Sequence, residues 1–237
     1  MELLPHLELA TGPDPIGTVI WMHGLGDTGW GHLEVVTALG RMLPAPIRYI
    51  LPHAPLLAVT INNGAQMPAW YDIAMDDIAR LPDERGIRAS QAGIGNLIAR
   101  ERTRGVTPDR IVLAGFSQGG AIALQAGLRH PERLAGIVAL STYLTLEDSL
   151  DQEGAAANRA TPIYMAHGTQ DPVVPLQLAQ HAHAALERRG YEVQWEDFPM
   201  PHSLCGEEVE AVAEFLARVL GGAGAPPAPR SSIILPA

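Results

Sequence analysis

The chain has 237 residues, 47% of them hydrophobic and 18% charged, a globular composition that excludes a disordered or membrane-embedded protein. Its 26 acidic and 16 basic residues give a net charge of −10, which repels phosphate backbones and argues against a nucleic-acid partner. Because it has a single cysteine, Cys205, no signal-like N-terminus and no apolar run of ~18 residues, we expect a cytoplasmic protein without stable membrane insertion.

Short apolar runs that favour strands alternate with longer runs that favour helices. An antiparallel edge strand is predicted first, followed by strands that are mostly continuous apolar runs, as in a parallel sheet covered on both faces: His6–Ala10, Thr18–Met22, Arg48–Leu51, Arg110–Phe116, Leu134–Leu140, Pro162–Ala166 and Glu192–Phe198. The predicted helices are Gly31–Leu43, Asp83–Arg104, Gln118–His130, Pro175–Arg189 and Glu207–Leu220. This order predicts an α/β fold, a doubly wound, mostly parallel sheet with helices on both faces, in a single domain over residues 1–222.

Two stretches lie outside this alternation. Residues 52–81 are irregular and rich in Pro, Asn and Met, and a loop of that length in a compact domain is usually functional. Residues 223–237 read as a Pro/Ala-rich C-terminal tail. Either this tail is flexible, or its apolar end packs on the domain or on a partner.

A G-x-S-x-G sequence, residues 115–119, follows the predicted strand RIVLAGF and precedes a predicted helix. Such a strand-to-helix turn strains the backbone of the serine, and the flanking glycines avoid clashes with neighbouring chain. The turn lifts the hydroxyl out of the sheet near a helix N-terminus, whose amides favour developing negative charge. We therefore expect Ser117 to be a catalytic nucleophile.

A serine nucleophile needs a base, and in this arrangement an acid and then a histidine follow the serine on loops after later strands. His202 lies in a proline-stiffened loop after the last predicted strand, so it is the expected general base. Asp171 follows the strand before it and is the expected acid, which would orient the histidine and stabilise its charged form. Asp197 is the alternative acid, and Asp171 could instead only cap the next helix.

The oxyanion of a tetrahedral intermediate needs amide donors. The residue after the nucleophile, Gln118, should provide one, and Leu25, in the glycine-rich loop after the strand TVIWM, should provide the other. The sequence contains no metal-binding motif, phosphate-binding glycine loop or dinucleotide fingerprint, so we expect catalysis without a metal or cofactor.

The combination of HGLGDTG (23–29), PAWYD (68–72), GFSQGG (115–120), HGTQDPVVP (167–175) and PHS (201–203) resembles the phospholipase/carboxylesterase family, which includes bacterial carboxylesterases and acyl-protein thioesterases. The resemblance runs from about residue 5 to residue 220. It implies a single α/β-hydrolase domain, the triad and oxyanion hole named above, and frequent homodimers. It also implies a small-molecule or lipid ester substrate: a carboxylic ester, a lysophospholipid or an acyl thioester.

Four residues of the irregular segment are candidates for the wall of an acyl channel: Met67, Trp70, Tyr71 and Met75. Soft Met beside an aromatic ring suits an adaptable apolar pocket, although the four could equally pack that segment onto the domain. The favoured hypothesis is an esterase with an acyl-enzyme on Ser117. The alternatives are an acyl-protein thioesterase, a peptidase, lactonase or polymer esterase, and a non-catalytic ligand-binding protein of the same fold.

Overall fold

The computed structural model of the protein describes residues 3–75 and 80–221, with side chains for all of these except 75 and 80–82. In chain order the strands are β1 (His6–Ala10), β2 (Thr18–Met22), β3 (Arg48–Pro52), β4 (Leu56–Val59), β5 (Ala65–Pro68), β6 (Ile73–Met75), β7 (Arg80–Pro82), β8 (Ile111–Phe116), β9 (Gly136–Leu140), β10 (Ile163–Gly168) and β11 (Val193–Phe198). The helices are α1 (Leu33–Met42), α2 (Glu84–Thr103), α3 (Gln118–Arg129), α4 (Leu150–Glu153), α5 (Leu176–Arg188) and α6 (Gly206–Leu220).

The main sheet has the order β1-β3-β2-β8-β9-β10-β11 within the described residues. β1 pairs antiparallel with β3 at one edge, and the other neighbours are parallel. The central strands β2 and β9 are buried along their whole length, as expected for strands covered on both faces. The predicted α/β fold and its antiparallel edge strand are thus confirmed, with strand bounds that differ from the prediction by two residues at most.

Alternate residues of each central strand enter different cores. Ile20 and Met22 of β2 pack with residues of α2, α3 and α5, whereas Val19 and Trp21 pack with residues of α1 and α6. The sheet is therefore a layer between two groups of helices, and the carboxyl ends of its parallel strands meet at one edge. In such sheets ligands bind outside that edge.

The segment predicted to be irregular contains two short antiparallel pairs, β4 with β5 and β6 with β7. Its two longer strands are largely exposed: β4 (LLAV) is an apolar run of only four residues, and its partner β5 (AQMP) has no such run, so the pair is hard to tell from a loop in the sequence. The predicted helix Gly31–Leu43 begins instead with a 3₁₀ turn at Gly29–His32 before α1. The predicted tail, residues 223–237, lies outside the described residues. Over the described ranges, no helix has the length and apolarity needed to cross a bilayer.

Candidate active site

Ser117 lies at the sharp turn between β8 and α3, with φ 54° and ψ −121°. A non-glycine residue in this region of backbone space is strained and needs the surrounding structure to hold it. Two hydrogen bonds do so: the Ser117 amide donates to the Leu140 carbonyl at 2.8 Å, and the Thr142 hydroxyl donates to the Ser117 carbonyl at 2.7 Å.

The glycines around Ser117 are required by close backbone contacts. A Cβ on Gly115 would collide with the backbone of Gly119, and a Cβ on Gly119 would collide with the carbonyl oxygens of Met22 and His23. The N-terminus of α3 therefore sits directly against the end of β2. This contact brings the serine turn next to the glycine-rich loop that follows β2.

The structure brings Ser117, His202 and Asp171 together in one hydrogen-bonded chain. Asp171 Oδ2 accepts from His202 Nδ1 at 2.6 Å, and His202 Nε2 lies 3.0 Å from Ser117 Oγ. Because a carboxylate only accepts, Nδ1 carries the proton and Nε2 is free to accept from the serine hydroxyl. The alternative acid, Asp197, is an exposed residue of β11.

Asp171 is held by further contacts in the loop after β10. Its Oδ1 accepts the amides of Val173 and Val174 at 2.8 and 2.9 Å, and its side chain is fully buried. Nε2 of the buried His167 lies 3.4 Å from Asp171 Oδ2 and 2.8 Å from the Val174 carbonyl. Burial lowers the pKa of His167, so this neighbour of the carboxylate is a neutral imidazole at neutral pH.

The loop with Leu25 lies against the nucleophile. A Cβ placed on Gly24 would lie 3.3 Å from the Phe116 ring and 3.5 Å from Ser117 Cβ, so this loop is in contact with the serine turn. The Gln118 amide belongs to the first turn of α3, where amides have no acceptor within the helix. The Gln118 side chain instead holds the neighbouring segment, since it accepts from the Trp70 amide at 2.7 Å and donates to the Tyr71 carbonyl at 2.8 Å.

A cavity of about 490 Å³ opens at Ser117 and His202, within the size range of small-molecule sites. Its lining is mainly apolar and includes Leu25, Val35, Ile73, Phe116, Val174 and Leu204. Among the described residues that line it there is no Lys or Arg, and Asp27 is the one acidic residue. The Asp27 carboxylate, 44% exposed, lies 3.4 Å from His32 Nε2.

Three of the four residues predicted to wall an acyl channel, Met67, Trp70 and Tyr71, are not part of the cavity lining. Trp70 and Tyr71 are buried in the core, with 1% and 3% of their surfaces exposed, and Met67 contacts Asn62 across the β4–β5 turn. The side chain of Met75 lies outside the described residues. The Trp70 indole donates to the His23 carbonyl at 2.9 Å, so this aromatic ring supports the loop behind the site.

Sequence reasoning missed several residues of the cavity, among them Asp27, His32, Phe116 and Leu204. Asp27 and Phe116 lie within recognised motifs and His32 and Leu204 lie just after them, and this proximity was the one signal available. It could not select them, because which neighbours of a motif face the cavity depends on how the loops turn.

Residues 10–220 match the family model described as Phospholipase/Carboxylesterase. The chain is 45% identical to acyl-protein thioesterase 1 of Neurospora crassa, over 84% of this chain and 85% of the relative, and 42% identical to acyl-protein thioesterase 1 of Gibberella zeae, over 86% and 90%. The crystal structure of Arabidopsis thaliana SOBER1 superimposes with a TM-score of 0.80 at 27% identity, covering 86% of this chain and 99% of that one. The chain therefore belongs to the phospholipase/carboxylesterase family of α/β-hydrolases.

Proposed function

We propose that the protein is a serine hydrolase that cleaves acyl esters and acyl thioesters through an acyl-enzyme on Ser117. The observation that carries this proposal is the position of His202, which bridges Asp171 at 2.6 Å and Ser117 at 3.0 Å in the lining of a mainly apolar cavity. A serine hydroxyl is a weak nucleophile until an adjacent base removes its proton, and His202 is within reach to do so.

In the first half of the reaction, Ser117 Oγ attacks the acyl carbonyl carbon while its proton passes to His202 Nε2. The amides of Leu25 and Gln118 stabilise the oxyanion, and Asp171 stabilises the imidazolium without taking its proton. The alcohol or thiol then leaves with the proton of His202. In the second half, His202 takes a proton from water as the water oxygen attacks the acyl carbon. The bond between that carbon and Ser117 Oγ then breaks, His202 returns the proton to Ser117 Oγ, and the carboxylic acid is released.

The apolar lining of the cavity supports an acyl chain as the group that occupies it. Each methylene that moves from water into such a lining contributes about 0.8 kcal/mol. The relatives at 42% and 45% identity are named acyl-protein thioesterases, which supports thioesters as substrates beside oxygen esters. Oxygen esters and thioesters can share one site because both are cleaved by attack of Ser117 Oγ on the acyl carbon and both pass through an oxyanion.

A chain-length series tests this substrate class. For p-nitrophenyl esters and matched thioesters from acetyl to decanoyl, we expect kcat/KM to rise with chain length until the cavity is filled. The rise in kcat/KM should come mainly from a lower KM with little change in kcat, since burial of the acyl chain stabilises the ground state and the transition state alike. Equal kcat/KM for acetyl and decanoyl substrates would contradict an acyl-binding cavity, and no hydrolysis of any member would contradict the hydrolase itself.

The charge of the cavity gives a second prediction, concerning the leaving group. Because Asp27 is partly exposed and none of the described lining residues is Lys or Arg, esters with cationic leaving groups should be cleaved faster than anionic analogues. Asp27→Asn should reduce this ratio of kcat/KM values several-fold, since one charge near a partly solvated site contributes about 1 kcal/mol. The ratio should be measured at low and high salt.

Asp197→Asn is the matched control, because it removes the same charge from an exposed position on β11. We expect it to leave the ratio unchanged. Two variants with the same ratio as the unmodified protein would show that Asp27 does not select the leaving group.

The single cysteine supports a cytoplasmic location, which fractionation of the native host would test. The family resemblance supports a homodimer, and the mass from light scattering during size-exclusion chromatography would test it. Residues 1–222 are proposed as the hydrolase domain, with 223–237 as a separate tail, which limited proteolysis would examine.

A further inference from the structure

His23, the residue before the glycine-rich loop, is fully buried and takes no part in the chain of Ser117, His202 and Asp171. Both of its ring nitrogens are nevertheless engaged. Nε2 lies 3.1 Å from the Ala54 amide, and Nδ1 lies 2.7 Å from the Gly24 carbonyl oxygen. An amide N–H only donates and a carbonyl only accepts, so Nε2 accepts and Nδ1 carries the proton. Burial lowers the pKa of His23 to about 4, which keeps the ring neutral and this arrangement intact.

The carbonyl that His23 holds belongs to a particular peptide group. The Gly24 carbonyl and the Leu25 amide are the two ends of one planar trans peptide, so they point in opposite directions. Fixing the carbonyl toward the His23 ring in the core therefore turns the Leu25 N–H away from that ring. The cavity at Ser117, which Gly24 and Leu25 both line, lies next to this peptide.

We propose that His23 is a positioning residue that aims the Leu25 amide into the oxyanion hole by holding the Gly24 carbonyl. This inference rests on the proposed function, because it assigns the second oxyanion donor of that reaction. His23 does not touch the substrate. It acts by fixing the rotation of one peptide plane, and thereby prepares a donor before the oxyanion forms.

Neighbouring contacts show that this imidazole is itself held rigidly. Its ring packs against the Trp70 indole with ring centroids 5.2 Å apart. The same indole donates to the His23 carbonyl at 2.9 Å, so both the side chain and the backbone of His23 are fixed. The Asp27 amide also approaches the Gly24 carbonyl, but at 3.3 Å, a longer contact than the 2.7 Å of the imidazole. Of the two contacts that the Gly24 carbonyl makes, the one with the imidazole is thus the shorter.

Two substitutions separate the two bonds of His23. In His23→Asn the amide nitrogen can take the place of Nδ1 and donate to Gly24, while the acceptor for Ala54 is lost. In His23→Gln the amide oxygen can take the place of Nε2 and accept from Ala54, while the donor to Gly24 is lost. Both variants remove the aromatic ring, so they are matched for the loss of packing.

We expect His23→Gln to lower kcat on a p-nitrophenyl ester by roughly 10- to 100-fold with little change in KM. A Leu25 amide that is no longer aimed at the oxyanion stabilises it less, but the loss is smaller than if the donor were removed altogether. His23→Asn should keep kcat within several-fold of the unmodified protein. A trifluoromethyl ketone, which forms a tetrahedral adduct with the serine, should bind more weakly to His23→Gln by the same factor. The matched methyl ketone should bind equally to both variants.

Equal loss of kcat in the two variants, or an unchanged affinity for the trifluoromethyl ketone in His23→Gln, would overturn the inference. Failure of the proposed function has a different signature: the unmodified protein would hydrolyse no ester and Ser117 would not react with a fluorophosphonate. If the unmodified protein is active and His23→Gln is equally active, the positioning role of His23 is contradicted while the proposed function stands.

A measurement on the unmodified protein covers the case in which both variants fail to fold. In protein labelled with ¹⁵N-histidine, we expect His23 to show a protonated Nδ1 and an unprotonated Nε2 at neutral pH. The opposite tautomer could not hold the Gly24 carbonyl, so observing it would overturn the inference without any substitution.

Discussion

Ser117→Ala should lower kcat on p-nitrophenyl esters by roughly four to six orders of magnitude. The hydroxyl is the atom that forms the acyl-enzyme, so its loss leaves the catalysis that the oxyanion donors and substrate binding give to attacking water. Alanine has nearly the same backbone preferences at φ 54° as serine, so the fold should persist and thermal unfolding should change little. Steady-state kinetics and labelling by a fluorophosphonate measure the two consequences directly.

Ser141→Ala provides a closely matched control. Ser141 is also buried and also has a positive φ, 48°, and its hydroxyl has no hydrogen-bond partner among the described residues. We expect this variant to keep its activity and its labelling. If Ser117→Ala retained most of its activity, or if the fluorophosphonate attached to another residue, the nucleophile would have to be reassigned.

Glu208→Gln should stabilise the protein, and the gain should grow with pH. Glu208 lies in the first turn of α6, is fully buried, and has no hydrogen-bond partner for either carboxyl oxygen among the described residues. Burial raises its pKa from 4.5 to about 8. Between these values the unfolded chain releases the proton while the folded chain keeps it, so the free energy of unfolding decreases as pH rises through this window.

The size of the effect follows from the width of that window. Each pH unit within it lowers the free energy of unfolding by about 1.4 kcal/mol, which gives a total on the order of 4 kcal/mol by pH 8. Glutamine does not titrate, so the variant should match the unmodified protein near pH 4.5 and exceed it most above pH 8. Urea unfolding at several pH values measures this difference.

Glu210→Gln is the control for this prediction, because Glu210 is an exposed residue of the same helix. It should change stability little at any pH. The buried Glu101 shows what Glu208 lacks: its carboxylate is paired with Arg48 and Arg104 and accepts from the Thr18 hydroxyl. A Glu208→Gln variant whose stability relative to the unmodified protein did not depend on pH would contradict a titrating carboxyl at this position.

The sheet could be predicted from the sequence because its strands are apolar on both faces. Runs such as TVIWM leave few other structures open, and five-residue β2 has the predicted bounds. The three residues of the proposed triad could also be selected, because each follows a predicted strand, and parallel strands end at the same edge of a sheet. Chain order alone thus placed them on one edge.

The lining of the cavity could not be predicted in the same way. Trp70 and Tyr71 are large and apolar and lie in the irregular segment, which suggested a channel wall, yet the Gln118 side chain binds their backbone and their rings face the core. Conversely, His32 lies in a 3₁₀ turn, and the hydrophobic pattern of the sequence does not show which way this turn faces. The difference between wall and core depends on long-range contacts that a local pattern does not contain.

The positive φ of residue 117 sets stability against catalytic activity, because the residue that best fits this backbone cannot carry out the reaction. Glycine would adopt this conformation without the ~1–3 kcal/mol of strain that a side chain incurs there, but it would carry no hydroxyl. A lineage under selection for durability alone would therefore drift toward glycine at this position. Serine persists at such a turn only while its chemistry benefits the organism. In a descendant that no longer needed the reaction, Ser117 should be among the first residues to be replaced.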